Sequence, residues 1–164
     1  METPDERLQR LNYVLPQPPK PMAIYVPTLE VNHLLYVSGH GPLRPDGTLV
    51  IGRVGADLSL EQGKEAAELT ALAIIATVRQ ALGGTLQRVK RLVKSFGLVR
   101  CTPEFNDHPA VINGYSRIMK EVFGEVNGVG TRTAVGTNAL PGGMAVEVDC
   151  IFELFPEGTP SASA

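Results

Sequence analysis

Two side chains in the stretch from Thr131 to Leu154 carry the chemistry most open to use: Arg132, in the run before Leu140, and Glu147, in the run after Gly143. A guanidinium presents parallel donors that match both oxygens of a carboxylate. A glutamate within reach of a water can take its proton. Both runs are β-rich and flank Leu140-Pro141-Gly142-Gly143, so they read as two strands joined by a short loop, a hairpin. Because side chains alternate along a strand, Arg132 shares a face with Ala134 and Gly136, and Glu147 with Ala145, Asp149 and Ile151. The opposite face of the second run, Met144, Val146, Val148, Cys150, Phe152 and Leu154, is core. Small and apolar residues lie among the charges, as on a face that meets another subunit or lines a cleft. An inter-strand or inter-subunit ion pair fits the same two residues.

Fewer signals come from the other reactive types. His33 reads as a turn residue and His108 as a helix-start residue, whereas His40, in Gly39-His40-Gly41-Pro42, falls near the expected cleft as a proton donor or a loop residue. Cys101 and Cys150 lack metal-spaced neighbours and read as buried thiols, which fits a reducing compartment. Asn113 lies inside a helical pattern, where asparagine is mildly unfavourable, so it calls for a specific hydrogen bond. Arg88, Lys90, Arg91, Lys94 and Arg100 form a basic run without interleaved aromatics, the pattern of a solvated edge more than of a nucleic-acid groove. The glycine-rich stretch 124–130 precedes a strand rather than a helix and is not a phosphate loop.

The elements that must position these residues can be read in order. Thr3-Pro4-Asp5-Glu6 is a capping box with proline at the first helical position, opening a short helix to about Leu11. The prolines at 16, 18, 19 and 21 end it in an extended linker. Met22–Leu29 and Leu34–Ser38 read as a hairpin around Glu30-Val31-Asn32-His33, followed by a loop and a short strand, Thr48–Ile51. Ser59-Leu60-Glu61-Gln62 is a second capping box, and Ala67, Ala71, Ile74, Ile75, Val78 and Leu82 recur at helical spacing up to Gly83-Gly84. Thr85–Arg88 reads as a helical turn and Val89–Val99 as a strand. A second long helix starts at Asp107 or His108 and stops at Phe123-Gly124. The tail from Pro156 holds too little apolar material to pack.

The chain has 164 residues, 43% of them hydrophobic, which suits one core and one domain. Residues 1–21 then form a helix and linker, 22–155 the domain, and 156–164 the tail. A net charge of -2 gives no electrostatic reason to expect nucleic acid or an anionic membrane as the main partner. No signal peptide or membrane span is apparent, and a cytoplasmic protein is expected. The element order implies an α+β domain, a mixed sheet with two helices on one face. Its other face needs cover, and a partner subunit is the natural source.

Several stretches together resemble the Rid family, also called YjgF-like: Tyr36-Val37-Ser38-Gly39, the helix entered by Gln62, Val111-Ile112-Asn113-Gly114-Tyr115, Arg132-Thr133-Ala134-Val135-Gly136, Leu140-Pro141 and Val146-Glu147-Val148. The resemblance covers roughly residues 22 to 155 in matching order. It implies a chorismate-mutase-like fold assembled as a homotrimer with clefts between subunits. In the best understood branch it also implies hydrolysis of reactive 2-imino or enamine acids to 2-keto acids and ammonia. On that reading Arg132 clamps the substrate carboxylate and Glu147 activates a water. Tyr25, Ser38, Asn113 and His40 line the pocket, and backbone at Ala134 holds the imine nitrogen. No metal or cofactor is implied, since an imine carbon is already electrophilic. The bland alternatives are a strand-forming tyrosine at 25 and a turn-forming serine at 38. The sequence also departs from the deaminase branch, which often has cysteine at the position of Ala134, glutamate at Gly136 and glutamine at His40, and usually lacks the N-terminal helix. The resemblance is therefore to a divergent branch, for which a non-catalytic metabolite-binding or regulatory trimer is the second reading and a ribonuclease the third.

Overall fold

The computed structural model describes residues 2–158. Helix α1, Pro4–Arg10, begins with the expected capping box: Glu6 N donates to Thr3 Oγ1, and Glu6 Oε2 accepts from Thr3 N at 2.7 Å. It packs within its own chain, on the helix His108–Phe123 and the end of the helix Leu60–Ala81. Leu8 is buried, and Asp5 accepts from Thr85 Oγ1 and Leu86 N, both at 2.8 Å.

Strands β1, Thr28–Val31, and β2, Leu34–His40, form a hairpin closed by Asn32 and His33, both at positive φ (49° and 63°). That left-handed pair matches the twist of the flanking strands. The first strand is shorter than expected. Residues 22–27 are not strand, because Pro21 and Pro27 cannot donate to a ladder. Thr48–Ile51 likewise makes only isolated bridges, Leu43 with Leu49 and Ile51 with Met144. Helix α2, Leu60–Ala81, starts at the Ser59–Gln62 capping box and runs to glycines at positive φ. Thr85–Arg88 is a turn, not helix. Strand β3, Val89–Arg100, helix α3, His108–Phe123, strand β4, Thr131–Thr137, and strand β5, Val146–Leu154, complete the order.

The sheet runs β1-β2-β5-β3-β4, with β3 and β4 parallel and the other pairs antiparallel. The β4–β5 hairpin expected from sequence is therefore absent: β3 lies between those strands and pairs with both. The connection from Thr137 to Val146 is long enough to step over β3, and α3 is the crossover that a parallel β3–β4 pair requires.

Helices α2 and α3 cover one face of the sheet. Ile74, Ile75 and Val78 of α2, Ile112, Ile118 and Met119 of α3, and Val146, Val148 and Phe152 of β5 are fully or almost fully buried there. Two glycines set the spacing. A Cβ at Gly114 would lie 2.2 Å from Lys64 O, so α2 and α3 touch through backbone, and one at Gly97 would lie 2.8 Å from Ile112 Cδ1. Among the described residues no helix covers the other face. Leu29, Val31, Tyr36 and Val135 are exposed on it.

Candidate functional site

Register decides which side chains can meet. Arg132 stands level with Ser95 of β3, which is level with Cys150 of β5, and all three face the helices. From there Arg132 Nη1 donates to Asn113 Oδ1 and to Ser116 Oγ, both at 2.9 Å, and Nη2 to Pro109 O at 3.4 Å. Asn113 and Ser116 are one turn apart on α3 and so present to the same strand. All three acceptors are neutral, and among the described residues Arg132 makes no ion pair. Partial burial lowers its pKa, the direction expected of a cation short of counter-charge. A cleft of about 260 Å³, floored by Leu92 and Ser95 and rimmed by 128–130, opens beside the guanidinium.

Glu147 faces the other way. It alternates with buried Val146 and Val148, so it projects from the uncovered side of β5, level with Leu98 of β3. Its Oε1 lies 2.2 Å from where a Cβ on Gly39 would be, and the carboxylate rests on bare β2 backbone. That backbone is bulged. Val37 pairs with Cys150 and His40 with Val148, which leaves Ser38 and Gly39 as an irregularity beside Asp149. Partial burial, and secondarily the charge of Asp149, raises the pKa of Glu147, and burial raises that of Asp149 itself. Ser38 Oγ donates to Val26 O at 2.7 Å, tying down the segment that carries Tyr25, itself half exposed.

The candidate residues thus fall into two groups. Arg132 and Asn113, with Ser116, lie on the helix side. Ala134 packs against the core from the same strand. Glu147 and Ser38, with Gly39 and the Tyr25 segment, lie around the β2 bulge. A single chain closes no pocket over both Arg132 and Glu147, and it forms no ion pair between them. His40 is corrected more sharply. It is 4% exposed, its Nδ1–H donates to Ser38 O at 2.7 Å, and its Nε2 accepts from the Thr77 hydroxyl at 2.8 Å. Burial pushes its pKa down, and it is a neutral core histidine rather than a loop or cleft residue. The bulge explains this inversion, since one extra residue turns His40 to the face that strict alternation gives to Gly39. Gly39 and Ser116 were missed in the sequence, although a glycine inside a strand signals a bulge and Ser116 follows Asn113 at helical spacing.

The basic run is largely paired. Arg88 Nη2 meets Glu30 at 2.7 Å, and Glu153 takes both Lys90, at 2.6 Å, and Arg91, at 2.5 Å. No helix among the described residues is long and apolar enough to cross a membrane.

Residues 5–157 match the family model described as "YjgF/chorismate mutase-like, putative endoribonuclease". Protein TCP17 of Trypanosoma cruzi is 41% identical over 147 residues, covering 90% of this chain and 91% of that protein. Among solved structures, Atu1372 of Agrobacterium tumefaciens, a protein of unknown function, is 40% identical with a TM-score of 0.84, covering 93% of this chain and 94% of its own. RidA of a Psychrobacter species is 24% identical with a TM-score of 0.58, covering 84% and 94%, a likeness of fold alone. With the mixed sheet, the two-helix layer and a family match over nearly its whole length, the chain belongs to the YjgF/chorismate-mutase-like family.

Proposed function

We propose that the two half-sites are joined across a subunit boundary. In a homotrimer, Arg132 and Asn113 of one protomer meet Glu147 and Gly39 of the next, and the joint cleft hydrolyses 2-imino or enamine acids to 2-keto acids and ammonia. The observation that carries this reading is Arg132 itself: a partly buried guanidinium held by Asn113, Ser116 and a carbonyl, all neutral, with a cleft beside it. A substrate carboxylate supplies the missing counter-charge and is gripped at both oxygens. Glu147, made more basic by burial, takes a proton from water as the oxygen bonds to the imine carbon. The proton on Glu147 passes to the nitrogen that received the C=N π pair, which gives a carbinolamine. Glu147 then moves the hydroxyl proton to nitrogen as the C–N bond breaks, which leaves the keto acid and restores the carboxylate, so that one water enters and one ammonia departs. Ala134 contributes backbone only, on an edge strand that pairs on one side. The apolar, helix-free sheet face beside Glu147 supports a neighbouring subunit there.

The same clamp without turnover makes a metabolite-binding trimer. A ribonuclease gains little support from the basic run, in which Arg88, Lys90 and Arg91 are held by Glu30 and Glu153. Mixing two inactive proteins separates these readings. Arg132→Ala and Glu147→Gln, unfolded and reassembled together, are expected to regain ammonia release from freshly generated imino acids to about a quarter of the wild-type level, the share of boundaries that pair two intact halves in random cyclic trimers. Activity that stays at zero on mixing defeats the cross-subunit site. Tight carboxylate binding by the wild type with no ammonia release supports the binding protein instead.

A further inference from the structure

A cleft of about 470 Å³ that shares no lining residue with the one beside Arg132 lies at the carboxyl ends of the parallel strands β3 and β4. Cys101 follows β3, Asn138 follows β4, and His108 is the first residue of α3, the crossover between them. Cys101 Sγ stands 3.5 Å from His108 Nε2, and the Phe105 ring meets the imidazole edge-on with centroids 5.6 Å apart. Gly136 makes this pairing possible. A Cβ there would lie 2.5 Å from His108 Nε2 and 2.8 Å from Cys101 Sγ, so a side chain at 136 would occupy the space the two share. Burial pushes the Cys101 thiol up, so at rest it is a thiol rather than a thiolate. Cys150 differs: it is buried in the core with a pKa pushed to about 12 and has no imidazole partner.

A thiol within reach of an imidazole is a nucleophile with its base. The rest of the lining adds a preference for charge. Arg53 reaches the rim, its Nε 3.6 Å from Asp57 and its side chain nearly half exposed, and the amino end of α3 adds positive potential. Asn106, Asn138 and Thr102 supply neutral hydrogen-bonding groups. We propose that this cleft is a second small-molecule site, independent of Arg132 and Glu147, in which Cys101, with His108 as base, adds to the electrophilic carbon of a small carboxylate-bearing metabolite. With a conjugated alkene the step balances as an addition. The S–C bond forms, the C=C π bond breaks, and the thiol proton passes to His108 Nε2 and then to the carbon that received the π pair.

Alkylation of the intact protein tests this, with each cysteine followed by mass spectrometry and iodoacetate compared with iodoacetamide. In both reagents sulfur displaces iodide from carbon, and the two differ in the carboxylate. At neutral pH Cys101 is expected to react at least about tenfold faster than Cys150, with an iodoacetate-to-iodoacetamide rate ratio about tenfold above that of free cysteine. Arg53→Gln is expected to return that ratio to the free-cysteine value. His108→Gln should slow both reagents at least about tenfold, and Gly136→Ala should do the same by filling the shared space. Unlabelled Cys150 reports that each variant is folded. Equal reactivity of the two wild-type cysteines, or a wild-type rate in folded His108→Gln, overturns the nucleophile; an unchanged ratio in folded Arg53→Gln overturns the anionic ligand. The wild-type comparison decides for or against the nucleophile even where a variant unfolds, and none of these outcomes depends on the hydrolase reading.

Discussion

Glu147 is kept where a carboxylate is least comfortable, against the bare backbone of Gly39 and one strand step from Asp149. Because folding raises its pKa above 4.5, the folded chain binds the proton more readily than the unfolded one, and ionised Glu147 opposes folding as pH rises through that window. Two outcomes are expected of Glu147→Gln. The acid limb of kcat/KM, which in the wild type falls as pH drops through a value above 4.5, disappears together with most of the activity. Stability at pH 7, read from urea denaturation, rises. An unaltered acid limb assigns the base elsewhere. His40 carries the opposite sign: burial depresses its pKa, so its neutral form supports the fold above about pH 6.5 and that support is lost as pH falls below it.

Helix placement rests on contacts that no side chain mediates. Gly114 lets α3 lie against the Lys64 carbonyl, and an added methyl would meet backbone, which cannot swing away. Gly114→Ala is expected to cost about 1–3 kcal/mol, the usual range for overpacking, or more if α3 shifts off β3; chemical denaturation measures it, and a neutral result would mean the helices slide freely. At this scale the sequence was most legible where the determinant was local. The Thr3 and Ser59 capping boxes lie within one turn of the residues they serve, and α2, α3 and β3 followed from periodicity. The pairing of β4 was illegible because the strand chooses β3, reached through α3, over β5, its neighbour in sequence. Arg132 and Glu147 were identified as residues, yet their relative facing depends on that long-range choice. His40 failed through a single bulge, which parity along a strand cannot anticipate.

For the molecule as a whole, the uncovered sheet face is the feature that calls for a partner. Tyr36 is 44% exposed and Val135 36%, with Leu29 and Val31 beside Tyr36 on the same side. A charge placed there would be desolvated without a counter-ion in any complex that covers it. Tyr36→Glu and Val135→Glu are expected to shift the assembly toward single chains in sedimentation, leave the circular dichroism of the fold unchanged, and reduce imino-acid turnover in proportion. Assemblies of wild-type size would put the interface elsewhere. The position of β4 has one more consequence. Like β1 it is an edge strand, held to the sheet on one side only, and it is joined to β3 through contacts distant along the chain, so its amide protons should trade with deuterium sooner than those of β5 at the sheet centre. The guanidinium therefore rides on a margin readier to breathe than the sheet centre, and a bound acid anion would be felt as a slowing of exchange along residues 131–137.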